Sequence, residues 1–198
     1  MQQTSPLILA SGSSIRQQML KAVGLAFSVV PSGVEEDAIK AAMKGAPIPG
    51  LAAALARAKT LAVSVQHPDS YTIGADQICL YEGAALSKPG TYARAEEQLA
   101  KLSGKTHEQH CAMTLARGNE VIWEYYDVAT LTMRDLTHAE IHTYVALEAP
   151  LASCGAYKFE GLGRHLFAKV TGDHDVIQGL ALVPLLAQLH ALGIIRLA

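Results

Sequence analysis

Residues 71–90 read YTIGADQICLYEGAALSKPG. Tyr71, Ile73, Ile78, Cys79 and Leu80 mark a buried strand over 71–80. Asp76 interrupts that apolar run and is followed by Gln77. Lys88 lies twelve positions after the aspartate and just before Pro89. An acid inside a buried strand and a cation after the next turn call either for a turn acid satisfied by backbone N–H groups or for a site that uses both charges.

Outward from this strand, helices and strands mix along the whole chain. PLILA (6–10) predicts a short buried strand, SGSS breaks it, and IRQQMLKAVG predicts a helix stopped by Gly24. Ile15, Met19, Ala22 and Val23 recur at helical spacing on it. AFSVVPSGVEED predicts a second strand ending in an acidic turn that holds Glu36. IPGLAAALARAKTLAVSVQ is alanine- and leucine-rich and predicts a long helix. After the turn at YEGAA, TYARAEEQLAKLSG predicts a helix capped near Thr91 and stopped by Gly104. THEQHCAMTLAR and EVIWEYYDVATLTMRDL predict two strands joined at GNE. Thr137 followed by Glu140 predicts a capping box. HLFAKV predicts a strand, and IQGLALVPLLAQLHALG one closing apolar helix. The pattern is α/β with a mixed sheet.

The chain has 198 residues, half of them hydrophobic. That length gives one domain spanning 1–198, or two small lobes around a shared cleft. Sixteen basic and eighteen acidic residues nearly balance, which provides no basic face for nucleic acid. Cys79, Cys111 and Cys154 have no CxxC spacing, so neither a disulfide framework nor a zinc knuckle is expected. A reduced cytoplasmic compartment follows. MQQTSPLILA shows no signal-peptide pattern, and no apolar run reaches the roughly 18 residues of a membrane span.

Ser11-Gly12-Ser13-Ser14 stands between a strand and a helix start, where backbone N–H groups and the helix dipole favour an anion. Arg16 lies about one turn in from a Ser13 cap. A cation there is unfavourable by roughly 0.3–1 kcal/mol unless an anion is bound. Arg16 therefore points to a phosphate or carboxylate guest, against the simpler reading of a solvated arginine beside a capping serine. His107 and His110 alternate faces on a strand, which argues against a shared metal and leaves His107 as a structural hydrogen-bonder. Asp173 and Asp175, flanking His174, read as turn acids.

With these residues together, the chain resembles the Maf family of nucleoside triphosphate pyrophosphatases. Its opening A-S-x-S-P-R-R stands here as Ala10-Ser11-Gly12-Ser13-Ser14-Ile15-Arg16. GVEED carries the family glutamate as Glu36. The A-x-x-K-A helix matches around Lys59, and G-A-D-T…K-P matches Gly74-Ala75-Asp76-Gln77 and Lys88-Pro89. L-S-G-x-T-H is intact from Leu102 to His107. The glycine-rich segment matches Cys154 to Gly163, and G-L-P-L matches Gly179-Leu180-Ala181-Leu182. Ser14 and Ala181 replace prolines. Ile15 replaces an arginine, Gln77 a threonine and Glu160 a glutamine, a set similar to the subfamily that prefers 7-methyl-GTP.

The resemblance implies a strongly twisted mixed sheet in two lobes around a central cleft, like the inosine triphosphate pyrophosphatases. It implies hydrolysis of a nucleoside triphosphate to the monophosphate and pyrophosphate, a house-cleaning reaction, with 7-methyl-GTP as the substrate expected first. A dTTP or UTP pyrophosphatase, or a septum regulator that binds nucleotide without turnover, are the alternatives. Asp76 is then the proton acceptor, Glu36 the second acid and Lys88 a third catalytic group, with Glu36 and Asp76 binding a divalent cation (Mg2+, Mn2+ or Co2+). Ser11, Ser13, Arg16 and Lys59 are the expected phosphate binders; Ile15, Gln77 and Glu160 are the expected specificity positions. Ile15 is equally a core residue by its spacing, and Gln77 either bonds base or ribose or shapes the wall. The expected partners are a small nucleotide and a second copy of the chain in a homodimer, with no nucleic acid and no membrane.

Overall fold

The computed structural model describes residues 2–197. In chain order the elements are β1 (Gln2–Gln3), β2 (Leu7–Leu9), α1 (Ser14–Ala22), β3 (Phe27–Val29), α2 (Glu36–Ala42), α3 (Ile48–Ser64), β4 (Tyr71–Tyr81), β5 (Ala84–Leu86), α4 (Tyr92–Leu102), β6 (Thr106–Arg117), β7 (Glu120–Met133), α5 (His138–Glu148), a 3-10 turn (Leu162–Leu166), β8 (Phe167–Thr171), α6 (His174–Gln178), α7 (Leu182–Ala191) and β9 (Ile195–Arg196). The architecture is α/β with a mixed sheet. Among the described residues that sheet has the strand order β3-β2-β4-β6-β7-β8, with β5 alongside β4, and β1 pairs separately with β9.

The chain folds into two compact units. The first holds residues up to 76, 111–127 and those from 179 onward; the second holds 77–110 and 128–178. In the first, β2 runs parallel to both β3 and β4, with Leu7 opposite Phe27 and Tyr71 and Leu9 opposite Val29 and Ile73. Parallel strands covered by helices must be apolar on both faces, which is why PLILA is a continuous run. Leu7, Ile8 and Leu9 are all buried, with Leu20, Leu55, Leu115 and Leu185 also in the core of this unit. Each such leucine contributes about 2 kcal/mol through area removed from water. In the second unit β5 is antiparallel to β4, and β8 to β7. Its core includes Leu99, Leu102, Leu131, Met133 and Val145.

The local signals act as read. Ser13 caps α1 by accepting from the Arg16 N–H, and Thr91 caps α4 by accepting from the Arg94 N–H. Thr137 and Glu140 form the reciprocal capping box of α5, at 2.8 and 3.2 Å. Gly24 and Gly104 end their helices at positive φ, 80° and 66°.

Four expectations need correction. The acidic turn at 35–37 opens a helix, α2, with Glu36 as its first residue. The closing helix is two, because Gly179 takes a φ of 94° between α6 and α7. Leu166 and His165 belong to the 3-10 turn, so the strand begins only at Phe167. The buried face of α1 is Arg16, Met19 and Leu20, while Ile15 is half-buried and Ala22 exposed. That rotation follows from Arg16, whose guanidinium finds backbone partners inside.

Candidate functional site

Three charged side chains from three elements of the first unit meet. Lys59 projects from α3, Asp76 from β4 and Glu36 from the first turn of α2. Lys59 Nζ donates to Asp76 Oδ1 at 2.6 Å and lies 2.7 Å from Glu36 Oε1. The Asp76 side chain is 8% exposed and that of Lys59 13%, so this is a nearly buried ion pair with Glu36 at its solvent edge. Lys40, one turn along α2, takes the other Glu36 oxygen, Oε2, at 3.1 Å. Burial pushes the Glu36 carboxyl up, but the hydrogen bonds and charges of Lys59 and Lys40 outweigh it and hold the group down at about 2. Glu36 is thus an anion throughout the physiological range.

Arg16, in the first turn of α1, bonds to the backbone beside Asp76. It is buried. Its Nε donates to the Gly179 carbonyl at 2.9 Å, and Nη1 donates to the Ala75 carbonyl at 2.9 Å and to Ser11 Oγ at 3.1 Å. The guanidinium ties the first loop, β4 and the segment before α7 into one frame, with Asp76 adjacent to the carbonyl it holds. Through Nε and Nη1 the cation in the first turn is engaged by two backbone carbonyls and a serine hydroxyl. Ser11 Oγ also accepts from the Ser13 N–H at 3.3 Å, and the Ser13 hydroxyl is the helix cap.

The remaining predicted residues stand in the second unit. Gln77 Nε2 donates to the carbonyls of Val176, at 3.2 Å, and Ile177, at 2.5 Å. Its amide nitrogen is committed to anchoring α6. Lys88 and Glu160 are exposed, flanking buried Pro89 and following buried Phe159. Asp173 Oδ1 accepts from the Asp175 N–H at 2.9 Å, the turn role expected of it. His107 bonds the buried Tyr157 hydroxyl through Nε2 at 2.9 Å, and His110 Nε2 lies 2.9 Å from Glu108. A cavity of about 400 Å3 in this unit, lined by Tyr144, Leu147, Leu162 and Leu166 among others, contains none of the predicted site residues.

Lys40 is the charged residue of the cluster that sequence reading missed. The signal was the i, i+4 spacing of Glu36 and Lys40, visible only once 36–42 is known to be helical.

The cluster suits a hard divalent cation. Glu36 and Asp76 supply only carboxylate oxygens and already converge on one ammonium group. Magnesium is held by one or two carboxylates, with phosphate and water completing its shell. Among the described residues no group of three or more His, Cys, Asp or Glu forms a self-sufficient metal cage, so a cation here would need further oxygens from a ligand. No helix is long and apolar enough to cross a membrane among those residues.

Several known proteins are similar to this chain. The chain is similar to a protein of Legionella pneumophila named nucleoside triphosphate pyrophosphatase, 40% identical over 193 residues, covering 98% of this chain and 96% of the relative. A Nitrobacter hamburgensis protein of the same name is 42% identical over 194 residues, covering 97% and 96%. Among solved structures, the Staphylococcus aureus Ham1 protein aligns at a TM-score of 0.48 and 14% identity, over 94% of this chain and 99% of that one. A HAM1 protein from Coxiella burnetii aligns at 0.40 and 16% identity, over 66% and 73%. The family profile described as Maf-like protein matches residues 6–192. With that match and relatives alike along nearly their whole length, the chain belongs to the Maf family.

Proposed function

We propose that the protein hydrolyses a nucleoside triphosphate to the monophosphate and pyrophosphate, and that 7-methyl-GTP is its substrate. The observation that carries the reading is the bridging of Glu36 and Asp76 by Lys59, in a chain whose relatives are named nucleoside triphosphate pyrophosphatases. Water attacks the α-phosphorus; the new P–O bond forms as the bond to the β-phosphate oxygen breaks, and pyrophosphate leaves. Asp76 takes the water proton. Its carboxylate is oriented by Lys59 and by the strand that carries it, which is what a general base requires. Lys59 and Lys88 offset phosphate charge, Ser11 and Ser13 offer hydroxyls from the first loop, and Arg16 holds the backbone beside Asp76 in place. A divalent cation on Glu36 and Asp76 (Mg2+, Mn2+ or Co2+) would supply charge neutralisation at the triphosphate.

Support for 7-methyl-GTP is chemical. A 7-methylguanine ring carries positive charge and N–H donors at N1 and N2; the carboxylate of Glu160 suits both better than a neutral amide does.

A panel of 7-methyl-GTP, dTTP, UTP and GTP, with pyrophosphate release measured in Mg2+, Mn2+ and Co2+, tests the activity and the substrate together. The expected result is fastest turnover of 7-methyl-GTP, shifting toward pyrimidines in Glu160→Gln. Preference for dTTP or UTP in the wild type overturns the substrate, and nucleotide binding without pyrophosphate release from any of them overturns the activity.

A further inference from the structure

Glu36 has both of its oxygens occupied, each by a different ammonium group. Oε1 is 2.7 Å from Lys59 and Oε2 is 3.1 Å from Lys40. The two lysines are not equivalent. Lys59 is 13% exposed and also holds Asp76, so releasing it would strand a nearly buried carboxylate. Lys40 is 47% exposed and has a second acid within reach, Asp37 Oδ1 at 3.6 Å, which is itself almost fully exposed. A lysine that lets go of Glu36 Oε2 therefore has another carboxylate and bulk water to turn to.

We propose that Lys40 is the exchangeable counter-ion of Glu36: it occupies Oε2 in the free protein and yields that oxygen when a divalent cation enters with the nucleotide. This rests on the metal-assisted reading above and adds a residue to it. With Glu36 Oε2 left open near Asp76, the site would attract a divalent cation before substrate arrives. Lys40 counters that attraction, so a cation is taken up most readily as its complex with the triphosphate, which brings the phosphate oxygens the site lacks. Once released, Lys40 stands one helical turn from the cluster as a cation available to the phosphates. In the free protein it acts through Glu36, and after release it acts as a binding residue for the phosphates.

The test is Mn2+ binding to the free, full-length protein, followed by electron paramagnetic resonance of the unbound ion. Variants Lys40→Gln and Lys44→Gln are compared with wild type. Lys44 is exposed just beyond the end of α2 and controls for net charge. Lys40→Gln should tighten Mn2+ binding by roughly fivefold, the scale of one exposed ion pair, and Lys44→Gln should leave it within about twofold of wild type. In turnover, Lys40→Gln should raise KM for nucleotide more than it lowers kcat. Mn2+ affinity in Lys40→Gln equal to that in wild type or in Lys44→Gln overturns the proposal. Absence of Mn2+ binding in all three proteins overturns it together with the metal assignment, whereas pyrophosphate release by wild type tests the underlying reaction separately.

Discussion

Gly74 of β4 faces Thr60 of α3 so closely that a β-carbon at position 74 would collide with Thr60 Oγ1, the hydroxyl that donates to the Ala56 carbonyl at 2.7 Å. The backbone carbonyl of Ala56 would also lie 3.2 Å from that carbon. This approach brings the helix residue before Thr60, the lysine, within 2.6 Å of the strand residue two beyond Gly74, the aspartate. Gly74→Ala must push α3 away from β4. The expected cost is about 1–3 kcal/mol, read as a lowered urea midpoint, with loss of turnover beyond what the lower stability explains. Wild-type stability and activity in Gly74→Ala would show that the close approach is not needed.

Asp76→Asn and Lys59→Met should behave differently. Asp76→Asn leaves Lys59 with Glu36 as partner, so the protein should remain folded while turnover drops by roughly 100- to 10,000-fold. Lys59→Met leaves the nearly buried Asp76 without its cation and should lower stability by about 3 kcal/mol. Urea unfolding and pyrophosphate release, measured on the same preparations, separate the two effects. Near-normal turnover in Asp76→Asn would remove it from the base role.

Glu36 sets an acid limit. Its folded-state carboxyl is held near 2 against an ordinary 4.5, so the folded protein binds this proton less readily than the unfolded chain. The associated stability is fully present above about pH 4.5 and is lost as pH falls toward 2. Because the side chain is 38% exposed, solvent screening reduces the effect to about 1 kcal/mol. Wild type should exceed Glu36→Gln in stability by a steady margin above about pH 4.5, and the two should converge as pH falls through that window; a margin that stays unchanged there would mean Lys59 and Lys40 do not hold the carboxylate in solution.

His107 adds a second, higher window. Burial pushes its imidazole down to about 4, so it is neutral when folded and prefers its proton when unfolded. Stability contributed by the neutral form is complete above the ordinary 6.5 and declines as pH falls to about 4, by about 3 kcal/mol in total. Urea midpoints at pH 7 and 4.5 should differ more for wild type than for His107→Gln, which keeps an amide for the Tyr157 hydroxyl. An equal difference would show that another group governs this range.

The elements that were legible in advance are those whose determinants lie within a few residues of one another. Ser13, Thr91 and the Thr137–Glu140 pair cap helices through bonds spanning three positions. Asp76 and Lys59 stand out by residue type and by resemblance, and they do meet. Lys40 does not stand out, because its i, i+4 relation to Glu36 exists only in a helix that the sequence does not announce. Ala181 illustrates the other limit. Where the resemblance leads one to expect proline, alanine adds a buried N–H, and Met113 Sδ accepts it at 3.1 Å from 68 residues away. Nothing near Ala181 announces that partner.

What this sequence determined by itself was the alternation of strands and helices, their caps and stops, and the kinds of charged group available for phosphate chemistry. Only the tertiary structure decided which charges meet and which are consumed. Arg16 shows why: its first-turn position is a local fact, but two of its hydrogen bonds end on carbonyls 59 and 163 residues away. A buried cation takes whatever acceptors the packed chain brings to it, and those are set by long-range packing that no neighbouring residue encodes.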